Sequence, residues 1–302
     1  MTKNNLCTLC PRDCGVDRTE RLGYCRAPHK IMIGRAALHM WEEPPISGEM
    51  GSGTIFFCGC NMGCVFCHNR EISHPRSRIG REFDADGLWK IMLALRDRGA
   101  HNINFVTPTH YADTIAEILR AYKSELGIPV VYNCGGYESV ETLRELDGLV
   151  DIYLPDFKYM SSELSLKYSK APDYAEIASK ALDEMLRQQK NCVFDSDGMI
   201  QKGVIVRHLV LPGARRDSME VLRRIAEIRG ERDLRLSLMR QFTPDFLPEG
   251  DVFSELRRKI TSFEYDSVLK EARRLGFDGF TQGAESANSS FTPNFSEIFI
   301  EN

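Results

Sequence analysis

From residue 54 onward, short apolar runs alternate with longer amphipathic stretches. The runs lie at 55–57, 103–106, 130–132, 152–154, 204–211 and 234–239. Each is too short for a helix and is rich in β-branched or aromatic residues, so each reads as a buried strand. The stretches at 86–97, 111–124, 140–146, 174–189 and 216–228 read as helices, several with apolar residues at i, i+3 and i+4, such as Ile115, Ile118 and Leu119. Asp84 or Asp86, and Asp173, stand where N-caps belong. Six strands alternating with helices imply an α/β fold with a parallel sheet and right-handed crossovers. Such a sheet can curl into a barrel whose working face lies at the C-terminal ends of its strands.

Outside this alternation the pattern weakens. Trp41-Glu42-Glu43-Pro44-Pro45 and the glycines from 48 to 53 punctuate the chain ahead of the first strand. Residues 253–276 read as one or two helices and 277–280 as a turn. Residues 286–302 form a polar segment carrying Phe291, Phe295 and Phe299, either folded over an open barrel edge or disordered. The expected organisation is a cysteine-rich N-terminal extension at 1–50, a barrel at 51–245 and a helical C-terminal segment with a tail at 246–302.

If strand ends form the working face, their residue types are informative. They are polar: Thr107 and Thr109 after the second strand, Asn133 after the third, Asp156 and Lys158 past the fourth, Arg207 and His208 in the fifth, Gln241 after the sixth. A polar group buried without a partner costs about 1 to 3 kcal/mol, so these residues either meet a ligand or meet each other, as in an ion network of Asp156, Lys158 and Arg207. Cys134 and Cys192 read as small core residues, and His101 and His110 as satisfied neighbours of the second strand.

The first strand ends in Cys58-Gly59-Cys60-Asn61-Met62-Gly63-Cys64-Val65-Phe66-Cys67-His68. Cys60, Cys64 and Cys67 set three thiolates at C-x3-C-x2-C spacing, and a glycine hinge at Gly63 lets the loop turn them toward one inorganic core. Three thiolates on a 4Fe-4S cube leave one iron open, as a catalytic metal site requires. The competing reading is zinc, with Cys58 or His68 as fourth ligand. Four earlier cysteines, Cys7, Cys10, Cys14 and Cys25, could close around a structural zinc or an electron-relaying cluster, or stand free.

Composition adds boundaries. With 302 residues, 42% hydrophobic and 27% charged, the chain can bury a sizeable core. A net charge of -4 speaks against bulk nucleic-acid binding but not against a protein partner. The segment Met1 to Leu6 has no secretory h-region and no run reaches a membrane span, so a cytoplasmic protein without membrane association is expected. Ten cysteines then read as metal ligands and core residues rather than disulfides.

The run Cys60 to Cys67, with Phe66 before the last cysteine, resembles the signature of the radical S-adenosylmethionine (SAM) superfamily. The resemblance implies a partial (β/α)6 barrel of radical SAM type, a 4Fe-4S cluster on Cys60, Cys64 and Cys67, and SAM on the open iron, cleaved reductively to a 5'-deoxyadenosyl radical. It implies further that Phe66 faces the adenine, that Asn133 and Gln241 meet ribose hydroxyls, and that Lys158 and Arg207, with Asp156 beside them, meet the carboxylate. Thr107 and Thr109 would accept from the amino group.

Asp156-Phe157-Lys158 and the segment 206–213 are similar to glycyl-radical activating enzymes, in particular the pyruvate formate-lyase activating enzyme-related branch. That branch implies a protein substrate, such as a glycyl radical enzyme, and an electron donor such as flavodoxin or ferredoxin; the alternatives are a radical SAM enzyme that modifies another peptide or a small molecule, and a non-enzymatic metal-binding interaction scaffold. Two features depart from it. Thr107-Pro108-Thr109 stands where many relatives carry Gly-Gly-Glu, and the extra cysteines precede the radical motif rather than follow it.

Overall fold

The computed structural model describes residues 6–73, 79–250, 252–288, 293 and 295. The first five residues, and Phe291 and Phe299 of the tail, lie outside the described residues. The strands are β1 (Ile31–His39), β2 (Ser52–Phe57), β3 (Arg81–Phe83), β4 (Ile103–Val106), β5 (Val130–Cys134), β6 (Ile152–Pro155), β7 (Val193–Phe194), β8 (Ile200–Leu209), β9 (Arg235–Met239) and β10 (Gly279–Thr281). The α-helices are α1 (Pro44–Ser47), α2 (Arg70–Ser73), α3 (Ala85–Asp97), α4 (Ala112–Leu126), α5 (Val140–Glu145), α6 (Ser162–Ser169), α7 (Tyr174–Gln188), α8 (Arg215–Arg229) and α9 (Ser262–Arg274).

All six expected strands form, and they lie side by side in the order β9-β8-β6-β5-β4-β2, every neighbouring pair parallel. Their apolar runs are continuous because the strands are covered on both faces: β2, β4, β5 and β6 are buried at every position. The helices bury amphipathic stripes against the sheet, α4 through Ile115, Ile118 and Leu119. Asp84 caps α3 by accepting from the Gly87 amide, whereas Asp173 precedes α7 without capping it and accepts instead from the Tyr137 hydroxyl.

The sheet extends past the alternating pattern on both sides. β1, from the cysteine-rich extension, pairs antiparallel with β2 and carries the short β3 on its other edge. Residues 279–281, with 279 and 280 expected in a turn, form a seventh parallel strand against β9. The turn chemistry of Asp278-Gly279 is real, but it serves to start the strand: Gly279 lies so close to the Leu236 carbonyl that a Cβ would overlap it. The divisions at 50 and 245 thus mark the chain, while one sheet runs across both. The sheet stays open, since neither β3 nor β10 pairs with the other, yet it curls: side chains from β2, β5, β8, β9 and β10 line one cavity.

Candidate active site

β2 delivers the chain to the C-terminal rim, and the cysteine loop begins there. Cys58 belongs to the strand end: its amide donates to the Met32 carbonyl, its thiol lies against the Ile79 carbonyl, and it packs with Met32, Phe56 and Ile72 away from the cavity. Gly59 follows with φ +93°, and a Cβ there would collide with the Cys25 carbonyl, so only glycine lets the loop turn where it does. The loop is then pinned from several sides. Asn61 donates to the Tyr137 carbonyl at 2.7 Å, and the Val65 amide to the Tyr168 carbonyl at 2.9 Å.

Each of the three loop thiols receives a donor. The Met62 amide points at Cys60 Sγ at 3.4 Å, the Ser169 hydroxyl at Cys64 Sγ at 3.0 Å, and the Ser73 hydroxyl at Cys67 Sγ at 3.5 Å. Burial, followed by the nearness of Cys64 and Cys67, pushes the Cys60 thiol up to about 12, and burial with Cys64 also raises Cys67. Cys60 and Cys67 therefore resist ionising unless a cation shares them. Soft thiolates with hydrogen-bond donors aimed at sulfur, with Cys58 turned away into the core, fit a three-ligand iron-sulfur cluster. Among the described residues, no three His, Cys, Asp or Glu side chains converge as tightly as a single bound ion requires. A cube instead presents separate corners to its thiolates.

Cys64, Phe66, Cys67 and His68 form the roof of a cavity of about 520 Å³. Asn133, Asp156, Lys158, Arg207 and Gln241 all face it, so five of the polar strand-end residues meet in one place. They also bond one another. Arg207 donates to Asp156 at 2.9 Å and to Asn133 at 2.6 Å, Lys158 donates to the other Asp156 oxygen at 2.5 Å, and Gln241 accepts from Gln282. Burial would push Asp156 up, but Arg207 and Lys158 outweigh it and hold the carboxyl below its ordinary range. Burial likewise pulls Lys158 down, and Asp156 more than restores it. The ion network and the cavity wall are the same residues.

Thr107 and Thr109 are placed differently. Thr107 takes a left-handed φ of 58° at the strand end and gives its amide to the Asn133 carbonyl, while the Thr109 hydroxyl donates to buried Glu138; neither lines the cavity. Phe66 is buried against Tyr168 and Phe242 with its loop at the cavity wall. The backbone at 136 needs its glycine, because a Cβ on Gly136 would overlap the Asp156 carbonyl.

Two carboxylates of the site come from the segment first read as punctuation. Glu42 reaches up between the strands, accepting from Asn104 and Asn133 at 3.1 Å each and pairing with Arg207 at 3.2 Å, and Glu43 lines the cavity beside it. Adjacent acids before Pro-Pro gave no periodic signal; the clue available was that two carboxylates stand next to a strand bearing inward Asn104.

The four early cysteines lie behind the loop. Their thiols are near enough to influence one another, with burial first and then Cys25 and Cys7 raising Cys10 to about 12. The knuckle that carries them is tied to the loop: the Cys60 amide donates to the Cys25 carbonyl, Tyr24 to the Met62 carbonyl, and Arg12 to the Asn61 carbonyl.

A family model described as the radical SAM superfamily matches residues 54–224. An uncharacterized protein of Methanocaldococcus jannaschii is 30% identical over 90% of this chain and 75% of its own length. A pyruvate formate-lyase-activating enzyme of Clostridium pasteurianum is 26% identical over 66% of this chain and 77% of its own. Among solved structures, Streptococcus suis SuiB is 15% identical with a TM-score of 0.49, over 77% of this chain and 48% of that one. The chain thus spans about half of SuiB.

Proposed function

The chain belongs to the radical SAM superfamily, and from that premise we propose that it is an activating enzyme that abstracts a hydrogen atom from a polypeptide, with a glycine of a glycyl radical enzyme as the target. The similarity to a pyruvate formate-lyase-activating enzyme supports this target. The observation that carries the chemistry is the trio of donor-decorated thiols, of which Cys64 and Cys67 face a polar cavity.

Cys60, Cys64 and Cys67 would hold the 4Fe-4S cluster, and Asn133, Asp156, Lys158, Arg207 and Gln241 would surround SAM. Once bound, the cluster supplies the electron that splits SAM into methionine and a 5'-deoxyadenosyl radical. Lys158 and Arg207 offer cationic donors to a carboxylate, and their mutual partner Asp156 keeps both in fixed directions. Phe66 walls the cavity, and Tyr168 and Phe242 back its ring, an apolar side that keeps water from a reactive species. A flavodoxin or ferredoxin is the expected electron donor. The docking of Cys7, Cys10, Cys14 and Cys25 behind the loop supports their holding a second iron-sulfur cluster, as a relay, or a zinc that stiffens the knuckle.

The test uses the reconstituted protein under anaerobic conditions. A partner carrying α-deuterated glycine should pass deuterium into 5'-deoxyadenosine. Deuterium absent from the product while 5'-deoxyadenosine still forms would exclude the glycine target.

A further inference from the structure

The cavity has a floor as well as a roof, and the floor is acidic. The segment between β1 and β2 enters the barrel from the side of the strand starts. Glu42 bonds Asn104, which pairs with Thr54 near the beginning of β2. Two further residues of β4, about 7 Å of strand, separate that level from the rim where the cysteine loop begins. Pro44 and Pro45 fix the backbone directly after Glu43, and Ser47 clasps the turn by donating to the His39 carbonyl and accepting from the Glu42 amide. Glu43 occupies the N-cap position of α1 yet makes no side-chain cap; its carboxylate is turned into the cavity.

Glu42 and Glu43 are buried side by side next to Arg207, and burial raises both carboxyls above their ordinary range in spite of that cation. Arg207 bonds Glu42, Asp156 and Asn133 and also acts on Glu43, which accepts from Ser237, and Lys158 bonds Asp156. Glu43 is 9% exposed, and its Oε2 has no hydrogen-bond partner among the described residues. A buried carboxylate oxygen without a donor is costly, and a cationic donor arriving with a ligand removes that cost.

We infer that Glu43 is the anchor for a cationic nitrogen of the substrate, an ammonium or guanidinium, held at the cavity floor beneath the radical source. This rests on the cavity being the radical site, and it deepens that reading by naming a charge the substrate must carry. SAM also carries an ammonium, but the thiol loop follows the end of β2, whereas Glu43 enters from the side where β2 starts. The floor nitrogen is assigned to the substrate.

The test is equilibrium binding to the anaerobically reconstituted full chain in the presence of SAM, using N-acetyl-lysine methylamide and its uncharged norleucine counterpart. Wild type should bind the lysine probe saturably, one per chain, and the norleucine probe at least tenfold more weakly. Glu43→Gln should lose the lysine preference, keep its affinity for SAM within threefold, and unfold in urea at the same concentration as wild type or higher, since it replaces a carboxyl whose charged form burial already disfavours. Equal binding of the two probes by wild type, or an unchanged lysine preference in E43Q, overturns the inference. A matching loss of SAM affinity in E43Q also overturns it, by giving the floor to SAM. A fall in the E43Q urea midpoint assigns Glu43 a structural role and overturns it too. Formation of 5'-deoxyadenosine on reduction, measured in the same preparations without probe, reports on the radical reading separately.

Discussion

Arg207 shows how much one side chain holds in this site. It touches Glu42, Asn133 and Asp156, which come from three different segments of the chain. Replacing it with methionine leaves buried carboxylates without their shared cation, and breaking a buried pair in this way typically costs about 3 to 5 kcal/mol. Arg207→Met should lower the urea midpoint by a matching amount, whereas pairing it with Glu42→Gln and Asp156→Asn should recover part of the loss. The buried histidines make a second residue-scale prediction. Burial, followed by Arg18, pulls His110 down to about 3; burial also takes His208 to about 4, and burial with Lys158 takes His68 to about 4. Their folded values lie below the unfolded 6.5, so the fold favours the neutral ring. That stability is present above about pH 6.5 and is lost as pH falls toward 4, where unfolding takes up protons. Urea titrations at pH 7, 6 and 5 should show a steep decline, shallower by about one proton in His110→Gln. Of these residues, Arg207 and Asp156 were legible because polar types at the ends of apolar runs stand out. Glu42 and Glu43 were not, since a loop residue's direction depends on a fold that local pattern does not encode.

At the scale of elements, periodicity identified the strands because parallel strands covered on both faces need uninterrupted apolar runs, as at Ile103–Val106. It missed β1, whose glycine and arginine interrupt the run, and β10, where three residues around Gly279 pair only because β9 presents an edge. Thr109 illustrates the same limit. Its position after β4 pointed to the cofactor, but a 3-10 turn at Thr109–Tyr111 directs its hydroxyl to Glu138 instead. The knuckle's attachment is the element whose energetics are most open to test. Arg12 donates to carbonyls of Asn61 and Lys170 and lies over the rings of Tyr24 and Tyr137, at 4.1 and 5.0 Å. Arg12→Ala should cost about 2 kcal/mol of docking free energy from these bonds and ring contacts. Limited proteolysis should then cut within residues 6–30 many-fold faster while β4 to β9 stay protected; equal cleavage rates would show that the knuckle is held elsewhere.

For the whole molecule, one curled sheet brings together what the chain keeps apart. A thiol loop after β2, an ion network from β5, β6 and β8, and an acidic floor from the segment before β2 enclose one cavity, with a second group of cysteines docked behind the loop. No helix among the described residues is long and apolar enough to cross a membrane. The central claim is that Cys60, Cys64 and Cys67 carry a redox cluster that works on SAM. Anaerobic reconstitution followed by iron analysis and dithionite reduction with SAM tests it directly. Cys60→Ala, Cys64→Ala and Cys67→Ala together should remove about four irons per chain and abolish 5'-deoxyadenosine. Wild-type protein that takes up only zinc, or a triple variant that still forms 5'-deoxyadenosine at the wild-type rate, would contradict it.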